Sequence, residues 1–266
     1  MPVNSQIPKT VAFLCARRTA GGSTDVVPIG TGFFVGVPTK RRPDGVHWYL
    51  ATAAHVVAHT PDVHVRIRGA EGLIDLPVNP WFRAQDARVD LAVAPFMPPP
   101  GADHLHYPLT DFLSDAHEAP YLGDPVYFVG LLGFVPSMGL HNVPMVRSGT
   151  LGALDQPGVP VRFPGNIRGE VTAHLIDCRS YRGFSGAPCF VQHPGNGTTR
   201  LLGVISAHFD AATEVPLQGD RLEGASATVP IHAGVGVVTP ARYLAELLAH
   251  EPLAARREAA EARAAR

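Results

Sequence analysis

Glycine and proline punctuate this sequence so densely that sustained helix is confined to its end. The 266 residues include 27 glycines and 26 prolines, a density that suits many short strands joined by turns rather than a helical protein. Residues 9–17, 29–37, 46–50, 63–67, 73–78 and 88–94 read as strands, and Val63-His64-Val65-Arg66-Ile67 alternates with period two, as a half-buried strand should. Glycine inside the strand pattern Gly30-Thr31-Gly32 marks a bend or a close approach of backbone. The charged stretch 40–45 reads as a solvated hairpin tip. Pro95 and the run Met97-Pro98-Pro99-Pro100-Gly101 cannot continue a strand, so they divide the chain. Beyond them the style repeats over 122–130, 145–154, 172–177, 201–206 and 234–239, with a polar, mobile loop expected over 210–230. From Pro240 the period turns helical, with Tyr243, Leu244, Leu247 and Leu248 at helical spacing. The tail 254–266, rich in alanine, arginine and glutamate, reads as a solvated helix or a frayed end, with a partner-binding segment as the lesser alternative.

One stretch carries chemistry. In Arg182-Gly183-Phe184-Ser185-Gly186-Ala187-Pro188 a serine is flanked by glycines and closed by a proline. Gly183 can take backbone angles that a Cβ would forbid, so its N–H and that of Ser185 could converge on one point as an oxyanion hole. Alone, such a stretch also fits an ordinary surface turn. Two upstream stretches answer it. Thr52-Ala53-Ala54-His55 ends an apolar strand in a histidine, and Asp90-Leu91-Ala92-Val93 places an aspartate at the mouth of another, with Asp86 a close competitor.

In the order His55, Asp90, Ser185, these motifs resemble those of the trypsin/chymotrypsin-like serine proteases, in the style of bacterial HtrA-like peptidase domains without a PDZ extension. Gly-Asp-Pro-Val at 123–126 resembles the opening of the second barrel in HtrA-like domains. The resemblance implies an all-β fold of two six-stranded antiparallel β-barrels, chymotrypsin-like, with a C-terminal helix. Residues 8–100 would form the first barrel, with His55 and Asp90, and 101–120 the linker. Residues 121–239 would form the second barrel, with the nucleophile Ser185, and 240–266 the helix and tail.

The activity implied is serine endopeptidase chemistry. His55 would be general base, Asp90 its orienting carboxylate, and the N–H groups of Gly183 and Ser185 the oxyanion hole. Aligned on the serine, Arg179, Ser180, Ser206, Ala207 and His208 fall on the substrate pocket and the strand that pairs with substrate. Arg179 and His208 together would favour an acidic side chain; equally, Arg179 points to solvent and His208 lies at the rim. Phe184 departs from the family, since trypsin-type enzymes carry aspartate there and HtrA-like enzymes asparagine. That departure keeps open a catalytically inactive or partner-activated peptide-binding module of the same fold. A change of substrate to an ester or to one dedicated protein also stays open.

Composition removes other classes. A formal net charge of −1 gives no global field for nucleic acid or an anionic membrane. Val56 stands where a zinc-protease motif between His55 and His59 needs glutamate, and His104-x-His106 lies in the proline-rich linker, so no metal or other cofactor is expected. Cys15, Cys178 and Cys189 cannot all pair within the chain. No basic region followed by an apolar run marks a signal peptide, and no run of 18 apolar residues marks a membrane span. The expected partners are a protein or peptide substrate and a regulatory protein; the expected location is cytoplasmic.

Overall fold

Neighbouring residues of the first strands point into two different cores, and this decides the architecture. The computed structural model describes residues 3–20, 23–42, 44–69, 71–114, 117–132, 143–163, 167–179, 183–193, 195, 197–216 and 226–264. Its first half contains β1 (Val11–Ala20), β2 (Ser23–Pro38), β3 (Val46–Thr52), the short helix α1 (Ala54–Ala58), β4 (Val63–Gly69), β5 (Gly72–Pro77), β6 (Phe82–Arg83), β7 (Ala92–Pro95) and β8 (Tyr107–Pro108). The strands form one sheet in the order β5-β4-β1-β2-β3-β7-β6, with β8 joined in parallel to β2. Ala12, Leu14, Phe34, Leu50 and Ala92 share one core. Their neighbours Val11, Phe13, Phe33, Tyr49 and Val93 enter a second core, shared with Tyr127, Phe190 and Leu201 of the other half. Strands buried on both faces read as continuous apolar runs, which is how these appear in the sequence. The two-residue strands β6 and β8 are additions to the six strands expected; no apolar run announces them.

The second half is a closed six-stranded barrel. Its strands are β9 (Pro125–Gly130), β10 (Met145–Phe163), β11 (Ile167–Cys178), β12 (Pro188–Gln192), β13 (Thr199–Pro216) and β14 (Ser226–Pro240), in the order β10-β11-β14-β13-β12-β9. Two hairpins are longer than the sequence suggests. β10 continues to Phe163 rather than stopping near 154, and most of the loop expected over 210–230 is strand, with 217–225 outside the described residues. The extra length has its own small core of Val159, Val161, Val171, Ala207 and Val237.

The helices α2 (Ala241–Ala249) and α3 (Glu251–Arg263) complete the chain's described part. α2 buries Leu244, Leu247 and Leu248 in the shared core, and α3 adds Leu253. The tail and the 40–45 turn are not merely solvated. Lys40 Nζ meets Glu258 Oε1 at 2.9 Å, His47 Nε2 meets Glu261 Oε1 at 3.0 Å, and Arg257 Nη1 donates to the Tyr49 hydroxyl at 3.1 Å. Linker residues are pinned too, since Tyr107 and Phe112 are buried and Phe112 bridges to Leu201. No helix among the described residues is long and apolar enough to cross a membrane.

Candidate active site

His55 lies in the first turn of α1, a helix of one turn that follows β3. Such a turn exposes backbone N–H groups with no helical partner. Asp90, in the extended stretch just before β7, supplies one: its Oδ1 accepts the His55 N–H at 2.9 Å. Its Oδ2 lies 2.7 Å from His55 Nδ1. Both oxygens of one carboxylate therefore hold one residue, and Asp90 is almost fully buried. A carboxylate can only accept, so the proton is assigned to Nδ1 and Nε2 keeps its lone pair. Asp86, the competitor, is taken: its bonds to the Arg88 side chain and N–H hold its carboxyl down at about 2.

Ser185 stands in a turn that the first sheet grips. The Thr31 N–H donates to the Ser185 carbonyl at 2.9 Å, and Gly186 and Ala187 donate to Ile205 and Phe184 carbonyls. Gly183 and Gly186 have φ of 102° and 86°, a region that side chains resist. A Cβ on Gly186 would collide with the Thr31 carbonyl and the Thr52 hydroxyl, three residues before His55. A Cβ on Gly30 would meet Val56 and, at 3.2 Å, the Ser185 carbonyl. The Ser185 turn is thus packed against the turn that carries His55. Among the described contacts, Ser185 Oγ makes no hydrogen bond to the imidazole; such bonds are often loose before substrate binds. The turn's carbonyls are used, whereas the N–H groups of Gly183, Phe184 and Ser185 have no acceptor among the described residues.

The remaining candidates are scattered in character. Arg179 is exposed and Ser180 lies outside the described residues. Ser206 is buried, its hydroxyl bonded to that of Thr239 across β13 and β14. Ala207 belongs to the small hairpin core. His208 is partly exposed with Asp210 Oδ1 at 3.4 Å, so a carboxylate already stands beside one of the two side chains that would favour an acidic substrate. β13 pairs with β12 only as far as Val204, while β14 holds its other edge.

A model of the trypsin-like peptidase domain matches residues 30–197, a span that includes His55, Asp90 and Ser185. The chain belongs to the trypsin-like peptidases. Three solved structures share the fold. The MamO protease domain from Magnetospirillum magneticum is 19% identical, with 91% of this chain and 97% of that one covered, at a TM-score of 0.53. The HtrA-type protease AlgW, solved with a tripeptide, is 17% identical over 91% and 60%, also at 0.53. A protease from M. tuberculosis in its active form is 22% identical over 91% and 81%, at 0.50. A search of curated proteins finds no match.

Within this trypsin-like peptidase, Phe184 holds its turn by apolar packing. It is fully buried and meets Phe128 edge-on, with centroids 5.1 Å apart. Two further side chains at the site escaped the sequence reading. Phe163, at the end of β10, stacks on the His55 ring with centroids 4.9 Å apart and planes at 28°. That contact shields one face of the imidazole from water. Thr31 touches both motifs, and the glycines on either side of it were its only signal. The three cysteine thiols are buried, which pushes Cys15 and Cys178 up to about 12 and Cys189 well above its ordinary value. They remain protonated and inert near neutral pH.

Proposed function

We propose that the chain is a serine endopeptidase working through Ser185, His55 and Asp90. The observation that carries this reading is the two-point hold of Asp90 on His55, which selects the tautomer a general base needs. Ser185 Oγ attacks the carbonyl carbon of a peptide bond while His55 Nε2 takes its proton. Asp90 stabilises the imidazolium without itself being protonated. The N–H groups of Gly183 and Ser185, which lack acceptors among the described residues, would receive the developing oxyanion. The imidazolium then protonates the leaving amine, giving an acyl-enzyme, and water attacks by the reverse sequence of proton transfers. The edge of β13 beyond Ile205, whose own N–H and carbonyl are taken by Ala187 and Gly186, offers main-chain groups to an extended substrate by strand addition. That AlgW was solved with a tripeptide supports a peptide as the substrate class here.

Labelling by a fluorophosphonate probe tests this. Wild type is expected to label, Ser185→Ala not at all, and Asp90→Asn about 10⁴-fold more slowly, the size of loss expected when a triad aspartate is neutralised. Phe184, where the resembled families carry aspartate or asparagine, keeps one rival in play, a peptide-binding module with no turnover. A folded wild type that stays unlabelled and cleaves no peptide, yet binds one, would establish that rival instead.

A further inference from the structure

Thr31 sits at the centre of the contact between the two halves, wholly buried. Four hydrogen bonds meet on it. Its N–H donates to the Ser185 carbonyl at 2.9 Å. Its hydroxyl donates to the Gly183 carbonyl at 2.7 Å and accepts from the Leu131 N–H at 2.9 Å. Its carbonyl accepts from the Thr52 hydroxyl at 2.8 Å. The direction of the hydroxyl is not free, because the Leu131 N–H can only donate; the Thr31 hydrogen must go to Gly183. Space is cleared for it: a Cβ on Gly130 would stand 2.7 Å from Thr31 Oγ1.

We propose that Thr31 is the positioning residue of this site, fixing the nucleophile turn against the histidine turn and holding the two N–H groups around Ser185 in place. The inference rests on the peptidase reading for its catalytic part and on geometry for the rest. Thr31 holds the carbonyl of Gly183 on one side of the Phe184–Ser185 peptide and that of Ser185 on the other. Neither flanking peptide can rotate without breaking a buried bond, and an unpaired buried group is costly. Through Thr52 the same residue is tied to the strand end that leads to His55. The serine turn and the strand end before His55 are therefore joined by one side chain and its own backbone, while Asp90 orients the ring itself. Phe184 anchors the turn from below by packing alone and supplies no hydrogen bond from its side chain; Thr31 supplies the directional part.

The test compares Thr31→Val, Thr31→Ala and Thr31→Ser in the full chain, well below their melting temperatures. Valine keeps the shape and the backbone bonds but deletes the hydroxyl; alanine does so with less bulk, should valine not fold. Serine keeps the hydroxyl. Two readouts are taken: amide hydrogen exchange at Leu131 and over 183–187, and kcat and KM on a peptide substrate. Loss of the hydroxyl is expected to speed exchange at Leu131, Gly186 and Ala187 about tenfold or more, because a lost buried bond lowers the free energy of local opening. It should lower kcat about 10- to 100-fold with KM unchanged, as small misplacements of a nucleophile do, and serine should restore both. Wild-type exchange over 183–187 in the valine and alanine variants overturns the proposal, as does a kcat that survives faster exchange. A wild type without turnover defeats the peptidase reading separately, and the exchange measurement then decides the role of Thr31 by itself.

Discussion

Phe184 shows how far one residue can move the means of holding a turn. The serine motif reads clearly in the sequence, but its middle residue is neither the aspartate nor the asparagine of the families it resembles. In the structure the side chain is fully buried against Phe128, within the second barrel's core. Phe184→Ala should therefore cost about 3–5 kcal/mol, the range for emptying an aromatic site in a core. Phe184→Asn, the change toward the HtrA-like pattern, should cost at least as much, since an amide would be buried among apolar groups. Urea denaturation of the three proteins checks this, and an asparagine variant as stable as wild type would refute it. Ser185, His55 and Asp90 stood out as candidates because each sits in a short contiguous motif. Thr31 and Phe163 were not, because what defines them is a partner far along the chain; Thr31 bonds to a residue 152 positions away.

At the level of strands and hairpins, the sequence marked positions better than lengths. The central runs of β1, β2, β3 and β7 were visible because burial on both faces makes them uniformly apolar. β10 was cut short because Pro157, Gly158 and Pro160 look like a turn, whereas the strand absorbs them in register shifts against β11. One shift leaves Asp155 with φ of 49°, its N–H donated to His174 Nδ1 at 3.1 Å and its carboxylate paired with Arg242 of α2. Burial pushes the His174 imidazole down to about 4, the opposing pull of Asp155 being smaller. In the unfolded chain a histidine takes up its proton near 6.5. The folded state thus carries no penalty above that pH, and loses stability progressively as pH falls from about 6.5 towards 4, by about 3 kcal/mol at the lower end. His174→Asn, whose side-chain oxygen can accept the same N–H but does not titrate in this range, should flatten the fall in melting temperature between pH 7 and 4. Equal slopes in the two proteins would place the acid sensitivity elsewhere.

The whole molecule is closed by a segment whose composition suggests that it should do nothing. α3 has few apolar side chains, so no hydrophobic period announces its docking. It nevertheless crosses from the second barrel's end to the first sheet. Leu253 is buried in the core shared by both halves. Arg257 donates to the Leu248 carbonyl at the end of α2 and to the Tyr49 hydroxyl on β3, the strand that leads to His55. Glu258 fastens Lys40 in the β2–β3 turn and Glu261 fastens His47 at the start of β3. The exposed Lys40–Glu258 pair contributes little, as surface pairs do; the buried leucine and the bridging arginine carry the contact. Because the shared core belongs to both halves, wild type should unfold in one transition rather than two. Ending the chain at His250 should remove about 3 kcal/mol for Leu253 alone, lowering the melting temperature by roughly 10 °C for a protein of this size. Leu253→Ala should reproduce most of that fall, and Lys40→Ala almost none of it. Calorimetry of the three proteins separates the contributions. Should the shortened chain melt with wild type, α3 would be an ornament on the surface and the two halves would owe their alignment to the remaining shared core and to Thr31.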